Sequence, residues 1–338
     1  MELRLIMEST QTFKALRVNE EDGKYIRRIE ERQLSDLPEG DVLIRVKYSS
    51  LNFKDALSCI GNKGVTRNYP HTPGIDASGI VEASSDSRFK VGDEVVVTSY
   101  DLGMNTDGGF SEYIRVPADW IVRKPANLSL KQAMVFGTAG FTAGLSVERL
   151  LAAGQTPEMG PVVVTGALGG VGAVAVCILN KLGFEVIAAT SDLNDGDEIL
   201  KKLGASSRID KTETDDQSGR PMLKPKWAGA IDVVGGNVLS TLLKACQPMG
   251  NVTCCGNIGS GDLEGTVYPF ILKGISLIGI DSQNCPMGLR QKVWDKLGQE
   301  WKCEELDKVV IESSLKELDA YIDKMNDKKS RGRVIVKL

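Results

Sequence analysis

From Ile44 to Tyr48 apolar and polar residues alternate, and the stretch Val42–Tyr48 follows the turn former Pro38-Glu39-Gly40-Asp41, so it reads as a half-buried strand. Ile80–Ala83 and Glu94–Thr98 repeat the theme, separated by the turn signal Val91-Gly92-Asp93. To about residue 130 the chain therefore reads as short strands punctuated by Gly and Pro, a compact β-rich domain of small-barrel type. After Pro125 the pattern changes. Leu130–Arg149 has helical apolar spacing interrupted by Gly137, Gly140 and Gly144. From Pro161 strands alternate with helices: strands at Val162–Val164, Glu185–Ala189, Ala228–Val234, Asn251–Cys255 and Ser276–Ile280, with helices near 171–182, 197–203 and 238–246. Near-continuous apolar strands alternating with helices predict a parallel sheet covered on both faces, an α/β fold. Residues 286–301 and 315–326 read as surface helices, Val334–Val336 as a closing strand, and the polar stretch from Asp210 to Lys226 as a loop excursion.

Charge and composition narrow the function. With 338 residues the chain is long enough for two domains. A net charge of -4 and no basic run leave no electrostatic footprint for nucleic acid. The start, Met1–Leu5, lacks the apolar stretch of a secretion signal, and the uncharged run Pro161–Asn180 carries four glycines, so it reads as strand, turn and buried helix rather than a membrane span. A cytoplasmic location follows as the expectation. The seven cysteines form no C-x-x-C and are odd in number, which points to reduced thiols. The chain has one histidine, His71, which rules out a zinc site built from two or three histidines and reads as a packed loop residue.

The sharpest motif is Val162-Val163-Val164-Thr165-Gly166-Ala167-Leu168-Gly169-Gly170-Val171-Gly172, a strand entering a glycine turn and then an apolar helix. A dinucleotide pyrophosphate needs close backbone approach, free N–H groups and the positive end of a helix. Gly169 permits the approach and Gly172 close packing of helix on strand, while Ala167 stands where the first glycine of G-x-G-x-x-G usually lies. About 20 residues on, where a ribose reader belongs, lies Thr190-Ser191-Asp192. The two hydroxyls suit either a 2′-OH or a 2′-phosphate, and Asp192 either disfavours the phosphate or is a helix-start carboxylate.

Several further motifs occur in order: Tyr48-Ser49-Ser50-Leu51-Asn52-Phe53-Lys54-Asp55-Ala56-Leu57, Pro73-Gly74-Ile75-Asp76, Phe136-Gly137-Thr138-Ala139-Gly140, Ala228-Gly229-Ala230-Ile231-Asp232, Tyr268-Pro269-Phe270-Ile271-Leu272, Gly279-Ile280-Asp281-Ser282 and Arg331-Gly332-Arg333. Together they resemble the zinc-free acrylyl-CoA reductase and quinone oxidoreductase branch of the medium-chain dehydrogenase/reductase superfamily, along essentially the whole chain. The resemblance implies a GroES-like β-barrel-type domain over residues 1–130 plus 284–338 and a Rossmann doubly wound parallel sheet over 131–283. It also places cofactor contacts at Leu168, Gly169, Gly170, Val171 and Gly172 for the pyrophosphate, at Thr190, Ser191 and Asp192 for the ribose, and at Asn257, Ile271 and Ser282 on the nicotinamide side. Phe53, where the branch often has tyrosine, keeps a ring beside the nicotinamide without a hydroxyl. Arg208 and Lys181 are the nearest cations for a 2′-phosphate, since Thr190-Ser191-Asp192 replaces the Ser-Gly-Arg common in the branch.

Asn52 stands where alcohol dehydrogenases of the superfamily carry a cysteine ligand, and Gly74-Ile75-Asp76 replaces their Gly-His-Glu, so no metal is expected. Without a Lewis acid, alcohol oxidation loses its activation, whereas reduction of an activated alkene needs only hydrogen-bond donors for the carbonyl oxygen. The implied activity is NADPH-dependent hydride transfer, NADH being possible, to the β-carbon of an unsaturated thioester such as acrylyl-CoA; a quinone is the rival acceptor. A non-catalytic nucleotide-binding redox sensor is the alternative from another class. Candidate catalytic residues are Asn52, which bonds an enolate oxygen or else caps the helix at Lys54–Leu57, and Arg67. Arg331 and Arg333 meet a cofactor or thioester phosphate, or are solvated surface charges. Pairing through the strand edge at Ser276–Ile280 would make a homodimer.

Overall fold

The computed structural model describes residues 11–193 and 196–338. Residues 1–10, on which the reading of the N-terminus rests, and 194–195 lie outside the described residues. In chain order the first elements are strands β1 (Thr12–Glu21), β2 (Lys24–Gln33) and β3 (Val42–Ser50), helix α1 (Phe53–Cys59), and strands β4 (Asp76–Ser84), β5 (Glu94–Thr98), β6 (Tyr113–Val116) and β7 (Ile121–Arg123). Helix α2 (Leu130–Ala152) is broken at Gly137, whose φ of 51° and ψ of -154° are not helical. Next come β8 (Val162–Val164), α3 (Gly170–Lys181), β9 (Val186–Thr190), α4 (Asp197–Lys202), β10 (Ser207–Asp210), β11 (Trp227–Asp232), α5 (Gly236–Lys244), β12 (Cys246–Cys254), α6 (Tyr268–Lys273) and β13 (Ser276–Gly279). The chain closes with α7 (Met287–Gly298), β14 (Val310–Ser314), α8 (Leu318–Asn326) and β15 (Arg333–Lys337).

Two compact units result: one holds the chain up to Thr138, Gln283–Gly298 and Val310–Leu338, the other Ala139–Ser282 and Gln299–Val309. In the first unit, seven strands form a mostly antiparallel sheet in the order β14-β15-β3-β4-β5-β7, with β6 also on β3. Its core is aliphatic, with Val42, Ile44, Val46, Val81, Val95 and Val97 packed around Ile114 and Leu102. A second cluster joins Leu16 and Val18 of β1 to Leu51, Leu318 and Val336. In the other unit, six parallel strands run β10-β9-β8-β11-β12-β13. This is the doubly wound order that puts ligands outside the strand C-termini, where the order reverses between β8 and β11.

Four local expectations need correction. Residues 12–33 form a ten-residue-stranded hairpin rather than short strands; Asp22 and Gly23, at φ 49° and 74°, make its turn, and the Asp-Gly dipeptide was the available signal. β12 begins at Cys246, because Pro248-Met249-Gly250 continues the strand instead of breaking it. The helix at 286–301 is not merely a surface helix, since α7 buries Arg290, Val293, Trp294 and Leu297. Likewise α8 buries Leu318 and Ile322.

Candidate functional site

The second unit carries the glycine turn. β8 delivers Thr165 to its end, where Thr165 Oγ1 donates to Asp232 Oδ1 at 2.7 Å. Asp232, at the end of β11, also accepts the Val234 and Gly235 N–H groups at 3.2 and 2.8 Å. The buried carboxylate thus ties together the two strand ends that flank the switch point; burial pushes its pKa up and the donors pull it back. The turn needs its glycines for distinct reasons. Gly166 is left-handed, φ 55°, and a Cβ on it would lie 2.6 Å from Val233 Cγ2. A Cβ on Gly172 would lie 2.3 Å from the Gly166 carbonyl oxygen, so the helix start packs directly on the turn. Gly169 caps α3, and a Cβ there would meet only the Gly166 oxygen, at 3.2 Å. The first N–H groups of α3, from Gly170, Val171 and Gly172, have no partner within the helix, the arrangement of donors that a helix N-terminus offers to an anion. Leu168 sits half-buried beside them.

At the end of β9, Thr190 is buried and its Oγ1 accepts the Asp192 N–H at 3.1 Å; Ser191 is exposed and Asp192 half-buried. Arg208 on β10 is already engaged: its Nε pairs with Asp197, at the start of α4, which also takes Lys201 Nζ at 2.6 Å. Lys181 is exposed and donates to the Lys302 carbonyl. Of the nicotinamide-side residues, Ser282 Oγ accepts from Thr142 Oγ1 at 2.8 Å, Asn257 is exposed, and Ile271 is 67% exposed on α6. The structure thus gathers Leu168–Gly172 at one turn and Thr190–Asp192 at the neighbouring strand end, while Asn257 and Ile271 stand on exposed segments.

In the first unit the candidates fall into two sets. Arg67 and Arg331 are exposed. Asn52 and Phe53 start α1 above a buried polar cluster that the sequence reading did not anticipate. Asp76 Oδ2 accepts from Ser50 Oγ at 2.5 Å and Asn52 Nδ2 at 2.7 Å, and both its oxygens accept from Thr138. Asn52 Nδ2 also donates to the Ser50 carbonyl at 3.2 Å, and its Oδ1 accepts from Arg333 at 3.3 Å. The Asn52 amide is thus turned into the cluster. Arg333 is neither a phosphate ligand nor a solvated charge: it is 2% exposed, donates to Ser50 Oγ at 2.8 Å and the Val135 carbonyl at 3.0 Å, and lies 3.9 Å from Asp76. Gly137 is required here, since a Cβ would fall 2.4 Å from Asp76 Oδ2. Asp55, fully buried, accepts the N–H groups of Asn52, Gly74 and Ile75 at 2.8, 3.1 and 2.8 Å. His71 is a packed residue, its Nε2 2.9 Å from the Gly103 carbonyl, with burial pushing its pKa down. Asp232, Asp76 and Arg333 all lie in quoted motifs; an Asp at either end of an apolar strand was the signal for a buried, partnered carboxylate.

Residues 38–126 match the alcohol dehydrogenase GroES-like domain, and residues 170–299 the zinc-binding dehydrogenase domain. The protein YhfP of Bacillus subtilis (strain 168), a quinone oxidoreductase by name, is 49% identical over 304 residues, 90% of this chain and 92% of YhfP. The chain belongs to the medium-chain dehydrogenase/reductase family. Within it, the chain falls in the branch of the acrylyl-CoA reductase AcuI of Ruegeria pomeroyi, 42% identical over 96% of this chain and 98% of AcuI. Two solved structures share its fold: Salmonella enterica yhdH in complex with NADP (TM-score 0.93, 41% identity, 96% and 99% of the two chains) and B. subtilis yhfP with NAD bound (TM-score 0.94, 46% identity, 97% and 100%). The first unit is accordingly the GroES-like domain and the second the Rossmann domain. Among the described residues no helix is long and apolar enough to cross a membrane.

Proposed function

We propose that this protein is an NADPH-dependent reductase of activated C=C bonds, acting without a metal on an α,β-unsaturated thioester of the acrylyl-CoA type. The observation that carries the reading is the state of the polar atoms at the ends of β3 and β4. Both Asp76 oxygens and the Asn52 amide are spent on Ser50, Thr138, Arg333 and each other, so these positions serve as a hydrogen-bonded brace rather than a ligand set. The relatives named acrylyl-CoA reductase support the substrate class, and the solved relatives with NADP and NAD support the cofactor class.

The glycine turn fits a dinucleotide, because only glycines keep the space at Gly166 and Gly172 clear. The N–H groups of Gly170, Val171 and Gly172 would hold the pyrophosphate and Thr190, Ser191 and Asp192 the adenosine ribose, with Asn257, Ile271 and Ser282 on the nicotinamide side. When bound, the reduced nicotinamide supplies a hydride for the β-carbon of the acceptor. The protein's own task is then to orient the acceptor and stabilise charge on its carbonyl oxygen. With the Asn52 N–H groups committed inward, that task would fall to donors such as the exposed Arg67, and the exposed Arg331 would meet a phosphate of the thioester.

The test is loss of nicotinamide absorbance with acryloyl-CoA and, separately, with a simple quinone, using NADPH and NADH. We expect the highest kcat/KM for acryloyl-CoA with NADPH. The relative named as a quinone oxidoreductase favours a second reading, and a higher kcat/KM for the quinone would replace the first. Turnover of neither, with nucleotide still bound, would make the protein a nucleotide-binding sensor.

We also infer a homodimer. β13 is the outer strand of the Rossmann sheet, and the α6 segment leading into it exposes Val267 (64%) and Leu272 (65%). An edge strand beside exposed apolar side chains is open to pairing with a second copy.

A further inference from the structure

We propose that Asp197 is a specificity-determining residue of the dinucleotide site: its carboxylate engages two cations beside the ribose position, Arg208 and Lys201, and so restrains the preference for a 2′-phosphate. The inference rests on the reading above that Thr190, Ser191 and Asp192 take the adenosine ribose.

The local geometry, all of it within the Rossmann unit, puts Asp197 at that position. β9 ends at Thr190, and β10 runs parallel beside it with Asp210 opposite Thr190 and Arg208 opposite Ala188. α4 begins at Asp197, and Gly196 is its cap. A Cβ on Gly196 would fall 2.4 Å from Leu168 Cδ1 and 2.9 Å from the Asp192 carbonyl oxygen. The start of α4 therefore abuts both the glycine turn and the residue that follows the end of β9, and Asp197 stands one position further on.

Three charges meet there. Lys201 Nζ, one helical turn along α4, donates to Asp197 Oδ2 at 2.6 Å, and Arg208 Nε donates to Oδ1 from β10. Acid before base at this spacing is the favourable order in a helix. Glu198 and Lys202, the other charged pair of α4, meet each other at 3.4 Å. The hydrogen bond from Lys201 and the charge of Arg208 hold the Asp197 carboxyl below the ordinary carboxylate range, so it is ionised at neutral pH. A phosphate monoester carries a charge of about -1.5 to -2 at pH 7. On a ribose at this place it would compete with Asp197 for both cations and be repelled by the carboxylate itself. A 2′-OH meets neither obstacle. Asp197 thus acts against one nucleotide and not the other.

Calorimetric titration of the full-length protein with NADP+ and with NAD+, which differ only in the 2′-phosphate, tests this without any acceptor. Asp197→Asn keeps the shape of the side chain and removes its charge; Asp197→Ser, suited to a helix start, serves if the amide is not tolerated. In either variant the ratio of Kd for NAD+ to Kd for NADP+ should rise about fivefold, the upper end of what a solvent-screened charge pair contributes. The rise should shrink between about 0.1 and about 1 M salt, where the screening length falls from about 10 to about 3 Å. Asp197→Glu keeps the carboxylate and should keep the wild-type ratio. In a chain that carries Lys201→Met and Arg208→Met, Asp197→Asn should leave the ratio unchanged, because no cation remains to be released. An Asp197 that merely starts α4 would move both nucleotides together.

An unchanged or lowered ratio in Asp197→Asn, or the same rise in the chain lacking both cations, overturns the proposal and leaves the reductase reading intact. A wild type that binds both nucleotides but turns over neither the thioester nor the quinone loses the proposed reaction alone. A wild type that binds neither nucleotide overturns the dinucleotide reading, and this inference with it.

Discussion

Gly172 and Gly169 lie three residues apart in one turn and should answer to mutation differently. The Cβ of Gly172→Ala would come 2.3 Å from a backbone oxygen, which cannot swing aside as a side chain can. The cost expected is about 1–3 kcal/mol, the usual penalty for overpacking, read from urea unfolding. Gly169 has more room, 3.2 Å to the nearest atom, so Gly169→Val should fold. It would put a branched side chain where the phosphates approach, and cofactor affinity should fall at least about tenfold, or 1.4 kcal/mol, by calorimetry. Unchanged binding would make the turn a bystander. Asp192 is the third test at this scale. It follows the end of β9, and Arg208 on the neighbouring β10 is held by Asp197. We expect NADPH to be accepted with only a modest margin over NADH, and Asp192→Arg to widen that margin in kcat/KM by pairing a 2′-phosphate. An unchanged ratio would show that Asp192 points away from the ribose.

Among elements, the buried cluster is what joins β3, β4, β15 and the break in α2. Arg333 reaches the Val135 carbonyl just before Gly137, and Asp76 takes the Thr138 N–H just after it. Removing either charge leaves the other buried and uncompensated. Arg333→Met should therefore cost about 3–5 kcal/mol, the range found for breaking a buried pair from one side, although methionine fits the space. A loss below 1 kcal/mol in chemical unfolding would mean that Asp76 is satisfied by its neutral donors alone. α7 has a comparable anchor: Arg290 donates to the Thr98 carbonyl at 2.9 Å and lies 4.2 Å from the Tyr100 ring centroid, which is why a helix read as a surface element is half inside.

For the whole molecule, two expectations can be checked without mutation. Activity should survive exhaustive chelation, and stoichiometric zinc in protein purified without added metal would refute the metal-free reading. Sedimentation should show a dimer, and Leu272→Asp, placing a charge on the exposed apolar segment beside β13, should shift it to monomer; a wild-type monomer would end the edge-pairing inference. At this scale it is also clear what could be read from sequence. The strand–turn–helix at Val162–Lys181, the alternation after Pro161 and the α/β class were legible because they depend on local periodicity and on glycines that no other residue replaces in a tight turn. The hairpin at 12–33 carried its own Asp-Gly signal and was still missed, since β2 is polar enough to hide its pattern. The fates of Arg333 and Arg290 were not legible at all. A guanidinium has the same local signature in solvent, on a phosphate or inside a cluster. What decides between them is a partner supplied by distant chain: Arg333 meets Ser50 across 283 positions, and Arg290 meets Thr98 across 192. Sequence by itself determined which segments must be strands and helices and where a dinucleotide can lie against backbone. Only the tertiary structure decided which charges were paid for by burial, because that cost is set by neighbours that local pattern does not name.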